Sequence, residues 1–410
     1  PSVPPAMAAR YRPAVTIDVA ALRRDTPSLL ERTYLNHAGA SPSPVPVLDR
    51  VVEHLRLEAQ IGGYEAAEAC AEELHAVHSS LAKLLGAGAD EIALCDSASS
   101  AWLRAFWSFP LRSGDVVLTC RSEYVTNALA LLRARRTVGI TVEVLPDDEH
   151  GQVDVAALVE RLDAGGVALV SMVHVPTQGG LVNPAAAVGA ACRSAGVPLL
   201  LDACQSVGQL PTLVDELGCD VLTATGRKFL RGPRGTGFLY VRRSLLDRLD
   251  PLLLDSQSAS WVTDDTYELA AGAQRLESFE RNIAGLLGLG RSVEYALGIG
   301  IDAIADRVVA LGAALRTGLA AIPGVQVHDR GEQRCGIVTF TIDGHDPADV
   351  QRQLAREQVH VWTANAAYAR IDLDARGISS MVRASVHVTT TDDEVDRTLD
   401  LVDRISRDPA

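Results

Sequence analysis

The sequence predicts an α/β protein: a large, mainly parallel sheet covered on both faces by helices, followed by a smaller α+β part. Three observations carry this. Between residues 90 and 241, short β-rich runs alternate with helical stretches. Those runs are continuously apolar rather than alternating, the pattern of strands buried on both faces. The 410-residue length also exceeds the ~250–300 residues at which a single core stops growing.

The strands expected in the first part are Ile92 to Leu94, Asp115 to Thr119, Thr141 to Leu145, Val167 to Ser171, Pro198 to Leu201 and Asp220 to Thr223. Segments 123–136, 154–163 and 184–195 supply helices between them. A long helix near 284–300 leads into two more expected strands, Cys335 to Ile342 and Met381 to Val388, flanked by amphipathic helices at 303–321, 347–356 and 392–406. The expected division is an N-terminal arm over 1–32, Pro-rich and loose at its start, a large domain over 33–290 and a small domain over 291–410.

Composition narrows the function. A formal charge of −14 without a basic stripe opposes nucleic-acid binding. No apolar run reaches the ~18 residues of a membrane span. The first residues, Pro1 to Met7, lack the basic and apolar regions of a signal peptide, so a cytoplasmic location is expected. Seven scattered cysteines without a CxxC pair read as reduced core thiols rather than disulfides or a zinc site, and no metal centre is expected.

The most informative residue is Lys228, which follows the apolar run Val221-Leu222-Thr223 and precedes the glycine-rich stretch Arg231 to Gly237. Asp202 ends another apolar run, Pro198 to Leu201. In parallel sheets ligands bind beyond the carboxyl ends of the strands, and both residues fall there. A buried lysine amine can form a Schiff base with an aldehyde, and an aspartate can hold a pyridine nitrogen protonated. The pair points to pyridoxal 5'-phosphate. Taken singly, each residue would read as a surface lysine or a helix-capping aspartate.

Asp202-Ala203-Cys204-Gln205-Ser206, Thr225-Gly226-Arg227-Lys228 and Gly232-Pro233-Arg234-Gly235-Thr236-Gly237 together resemble the class V branch of the fold-type I pyridoxal-phosphate-dependent enzymes. That branch includes cysteine desulfurases, kynureninase-like enzymes, epimerase-like proteins and C–S lyases. The resemblance covers about residues 30 to 400 and implies the fold-type I transferase architecture with Lys228 as the catalytic lysine. It assigns Asp202 to the ring nitrogen, Gln205 and Thr177 to the phenolic oxygen, and Tyr124 to stacking on the ring. Ser99 and Ser100, helped by Thr225 and with Arg227 nearby, are assigned to the phosphate at a helix N-terminus; helix capping by the serines is the alternative. His174 reads equally as a cofactor contact or a core histidine.

Dimeric relatives complete the phosphate site with a threonine of the partner subunit. Here Glu280 stands in that place, so a homodimer is expected in which either Arg227 and Arg281 compensate the carboxylate or the contact differs. Arg383 matches the arginine that grips an α-carboxylate, with the guanidinium fork suited to two oxygens. The expected substrate is therefore an α-amino acid. Asn36 and Ala38 match the segment lining the substrate pocket, and Gly62-Gly63-Tyr64 resembles a segment of C–S lyases in sulfur-metabolite pathways, with Tyr64 near the substrate side chain or simply a buried aromatic. Cysteine desulfurases carry a nucleophilic cysteine shortly before the carboxylate-binding arginine, whereas residues 361–380 contain none. The expected activity is C–S β-elimination from an S-substituted cysteine in specialised sulfur-metabolite or antibiotic metabolism. Transamination, epimerisation and decarboxylating deamination use the same core residues.

Overall fold

The computed structural model describes residues 17–407, so the Pro-rich start of the expected N-terminal arm lies outside the described residues. The central sheet has seven strands in the spatial order Ile92–Cys95, Gly237–Val241, Val221–Thr225, Leu199–Asp202, Val167–Val173, Val116–Thr119 and Thr141–Val144. All six expected strands are present. The added one, Gly237–Val241, runs antiparallel to both of its neighbours, while the remaining pairs are parallel.

Apart from the exposed edge strand Thr141–Val144, each strand sends side chains to two cores. Leu199, Leu201, Leu222, Phe238 and Tyr240 pack on one face, and Leu200, Val221, Leu239 and Val241 on the other. This is why the strands read as unbroken apolar runs. The second face is closed by helix Ala98–Ser108, whose Trp102 and Phe106 rings stack at 4.9 Å. Helix Ile283–Ile299 starts at Asn282, whose side chain caps Gly285 N–H at 2.8 Å, and it packs on helices Val45–Ile61 and Ala71–Leu85. That packing is close: a Cβ on Gly288 would lie 2.5 Å from Val51 Cγ2.

A second, antiparallel sheet has the order Val325–Val327, Ile337–Ile342, Ser380–Ser385 and Trp362–Asn365. Helices Ile301–Ala320, Pro347–Arg356 and Asp392–Arg407 accompany it. The strand expected to run to Val388 ends at Ser385 instead: Val386 N–H still donates to Gly336 O in the same register, but beyond it the His387 ring is drawn to Phe229 O. The segment around residue 35 joins this sheet: Thr33–Tyr34 pairs in parallel with Val359–His360, and Ser385 N–H donates to Leu35 O at 2.7 Å. Residues 36–39 are thereby held between the two sheets. No described helix is long and apolar enough to cross a membrane.

Candidate active site

The three central strands end level with one another, Val173 opposite Asp202 and Asp202 opposite Thr223. Beyond Thr225 the chain makes a tight turn in which Arg231 N–H donates to Lys228 O (2.9 Å) and Gly232 N–H to Gly226 O (2.8 Å). Arg231 sits in the left-handed region (φ 61°), a conformation costing a non-glycine residue roughly 1–2 kcal/mol. Its buried guanidinium holds the turn by donating to the Thr26 hydroxyl and lying over the Tyr295 ring, 5.8 Å from its centre. The turn delivers Lys228 into an open pocket, about 570 Å³ of empty space counting its solvent-open part, whose walls include Ser97, Ser99, Tyr124, Asp202, Gln205 and Thr225. Lys228 is 8% exposed. Burial is the main reason its amine is pulled down to about 8, with Cys204 and Asp202 opposing the change.

Asp202 is fixed from two sides: Cys204 N–H donates to Oδ1 at 2.9 Å and Asn127 Nδ2 to Oδ2 at 3.0 Å. Asn127, which lies one helical turn into Val125–Thr137, also donates to Glu123 Oε1 at 2.9 Å. Glu123 is wholly buried, and burial pushes its carboxyl up to about 7 against the hydrogen bonds it accepts from Tyr124 N–H, Thr119 and Asn127. Tyr124 stands at the start of that helix and lines both the cavity and its mouth. Cys204 also lines the cavity, and burial keeps its thiol protonated.

At the opposite end, Ser97 caps helix Ala98–Ser108 by accepting from Ser100 N–H at 3.1 Å. A Cβ on Gly237 would come within 2.4 Å of the Ser97 carbonyl carbon, so the antiparallel strand can pass under this turn only as glycine. Ser99, Thr225 and Arg227 line the cavity, and the Arg227 guanidinium donates to Gly39 O on the side of its mouth. Ser100 does not line the cavity. It stands at the third helical position, where its amide serves the Ser97 cap and its hydroxyl is turned along the helix to accept from Arg104 Nε at 3.3 Å. The capping expected of Ser99 and Ser100 falls to Ser97, and of the two only Ser99 lines the cavity.

The mouth is lined by Ala38, Thr177, Arg227, Trp362, Asn365, Tyr368 and Arg383 around Lys228. Arg383 is buried, and burial is the main cause that lowers its guanidinium to about 10, so it remains a cation at neutral pH. Its Nη1 donates to Thr177 O and Oγ1, both at 2.9 Å, and its Nη2 approaches Asn36 Oδ1 at 3.4 Å. Its buried Nε has no partner. Gln205 Nε2 donates to Ala38 O (3.1 Å) and Thr177 Oγ1 (3.2 Å), which spends its donors on the protein and leaves buried Oε1 unpartnered.

His174 does not line the cavity, although Val173 and Val175 do. It is a buried core histidine, kept neutral by burial, which lowers it to about 4. Tyr64 is not the buried aromatic that its glycine turn suggests. Gly62 (φ 100°) breaks one helix and starts the seven-residue helix Gly63–Ala69, which buries Ala66 and leaves Tyr64 77% exposed. Its ring lies 6.5 Å from exposed Phe279 and outside the cavity of its own chain. Glu280 is exposed in a neighbouring cleft with Arg104 and Arg281, and Arg281 is paired with Glu277 rather than with Glu280. Sequence reasoning did not single out Asn127, Cys204, Trp362 or Tyr368. Their positions after strand ends or near Arg383 were the only signal.

The fit to a pyridoxal phosphate is chemical as well as spatial. An amine of lowered basicity, a carboxylate aimed inward and a capped helix start line one ring-sized cavity. The family model for class V aminotransferases matches residues 33–398. A probable hercynylcysteine sulfoxide lyase of Mycobacterium tuberculosis is 32% identical over 366 residues, 88% of this chain and 87% of the relative. A probable cysteine desulfurase of Methanothermobacter thermautotrophicus is 29% identical over 381 residues, 91% of this chain and 94% of the relative. Among solved structures, the apo cysteine desulfurase of Thermococcus onnurineus superimposes with a TM-score of 0.88 at 25% identity, covering 95% of this chain and 98% of the other. A cystine C–S lyase in complex with its product cysteine persulfide has the same fold (TM-score 0.83, 21% identity, covering 94% of this chain and 100% of the other). With the match running from the strand at residue 33 to the last helix, the chain belongs to the class V aminotransferase family of pyridoxal-phosphate-dependent enzymes.

Proposed function

We propose that this enzyme is a C–S β-lyase that cleaves an S-substituted cysteine in specialised sulfur-metabolite or antibiotic metabolism, working as a cytoplasmic homodimer. The observation that carries the reading is the composition of the mouth. Residues 361–380, which pass beside Arg383, hold no thiol to accept sulfur, and they contribute Trp362, Asn365 and Tyr368 instead. The remaining thiol near Lys228, Cys204, is kept protonated by burial and is a poor nucleophile. The relative named as a hercynylcysteine sulfoxide lyase supports the same class of reaction.

Bound in this cavity, pyridoxal phosphate supplies an electron sink into which a bond at the substrate Cα can break. Asp202 would hold a proton at the ring nitrogen, Tyr124 would cover the ring, and Ser99, Thr225, Arg227 and the helix start at Ser97 would hold the phosphate. Arg383 binds the α-carboxylate through its Nε and Nη2 edge, with Asn36 and Ala38 closing that side. The Lys228 amine removes the Cα proton, and the sulfur substituent leaves with the C–S bonding pair. The lysine passes that proton to the departing sulfur, and water converts the 2-aminoacrylate left behind to pyruvate and ammonia.

The test is a substrate screen: S-substituted cysteines against alanine and other amino acids, with separate detection of thiol, pyruvate, keto acid and carbon dioxide. Thiol and pyruvate released in equal amounts is the expected result. Keto acid from alanine at a comparable rate would make the enzyme an aminotransferase. Carbon dioxide with an aldehyde and no thiol would make it a decarboxylating deaminase.

A further inference from the structure

We propose that Glu123 and Asn127 form a positioning relay that sets the Asp202 carboxylate for the cofactor ring nitrogen; this rests on the ring-nitrogen role given to Asp202 above. The argument is a count of protons. The Asn127 side-chain amide has two N–H groups, and its nitrogen lies 2.9 Å from Glu123 Oε1 and 3.0 Å from Asp202 Oδ2. Each carboxylate therefore takes one N–H, and the amide has only one orientation that satisfies both. Oε1 accepts whether or not Oε2 carries a proton, so turning the amide over would set its oxygen against two acceptor oxygens.

Glu123 fixes that orientation, and everything around it serves to hold it. Oε1 also accepts from Tyr124 N–H at 2.8 Å, and Oε2 accepts from the Thr119 hydroxyl at 2.8 Å. Glu123 and Asn127 are each 1% exposed, so neither can exchange these partners for water. The titratable groups facing Glu123 are Asp202, at the end of a strand two places away in the sheet, and Cys120, just past strand Val116–Thr119. The relay thus joins the start of helix Val125–Thr137, which carries Tyr124, to the end of strand Leu199–Asp202. One carboxylate outside the cavity fixes the donor that, with Cys204 N–H, holds the carboxylate inside it.

The test is a cycle of full-length variants titrated with pyridoxamine 5'-phosphate, which binds without a covalent link to Lys228, with the affinity read from absorbance and not from turnover. Asn127→Leu and Asp202→Asn should each weaken binding roughly tenfold or more, the loss of one hydrogen bond to a charged group. The double variant should bind within about threefold of Asp202→Asn alone, because Asn127 acts only through that carboxylate. Glu123→Ala should match Asn127→Leu, while Glu123→Gln, which keeps an acceptor for the amide, should stay near the parent. Thermal melts verify folding, and Asn127→Ser replaces Asn127→Leu if the latter does not fold. Binding left within threefold by Asn127→Leu, or an equal loss in both backgrounds, would overturn the relay while leaving Asp202 in its role. Unchanged binding in Asp202→Asn would overturn the ring-nitrogen assignment and the relay together.

Discussion

Arg383→Lys separates charge from geometry at the carboxylate site. The native guanidinium is anchored by Thr177 through Nη1 and leaves the Nε and Nη2 edge for two parallel bonds to a carboxylate. A lysine keeps the charge and one such bond, so the variant loses one charge-assisted hydrogen bond, worth about 1.5–3 kcal/mol. That corresponds to roughly a 10–150-fold drop in kcat/KM. The assay is pyruvate release from an S-substituted L-cysteine, run alongside the matching S-substituted cysteamine, which has no carboxylate, with thiol as the readout for both. The cysteamine should react poorly and equally with parent and variant. A fall of less than threefold on the amino acid, or an equal fall on the cysteamine, would refute the role of Arg383.

Four further outcomes are expected. Only the neutral Lys228 amine attacks an aldehyde, and that amine is lowered to about 8, so covalent capture of pyridoxal phosphate by the apo chain should accelerate as pH rises through about 8 and be absent in Lys228→Ala; stopped-flow absorbance reads this, and a rate flat from pH 6.5 to 9.5 would contradict it. Glu123 is raised in the fold from 4.5 to about 7, so its protonated form is favoured and its stabilisation, complete below pH 4.5, is lost as pH rises towards 7; Glu123→Gln should remove about 3 kcal/mol of that pH dependence in denaturant melts of the apo chain. Gly237→Ala drives a Cβ to 2.4 Å from the Ser97 backbone and should destabilise the protein by roughly 1–3 kcal/mol, with weaker cofactor retention, measured by melting and dialysis. Light scattering should give a dimer, and a fully active monomer would exclude that assembly.

Much of the site could be read from the sequence because its key groups end apolar runs. Asp202 and Lys228 are polar residues at the points where buried strands stop, a position that periodicity alone reveals. The strand Gly237–Val241 was concealed by its glycine-rich approach, which reads as loop, although Phe238-Leu239-Tyr240-Val241 is as apolar as the others. Asn127 was not legible, since its meaning depends on a carboxylate 75 residues away. Ser100 and Tyr64 lie away from the cavity of their own chain for a different reason. Their type was read without the helix phase, and the phase turns one hydroxyl towards Arg104 and one ring towards solvent.

The antiparallel strand has a consequence for how the chain is made. Among the described residues Ile92–Cys95 pairs with no strand but Gly237–Val241, which reaches it across roughly 150 residues of sequence. On a ribosome adding about 5–20 residues per second, the first strand waits on the order of ten seconds for its neighbour. Lys228 emerges just ahead of that closing strand, so the reactive amine is presented only as the sheet that will shelter it is completed.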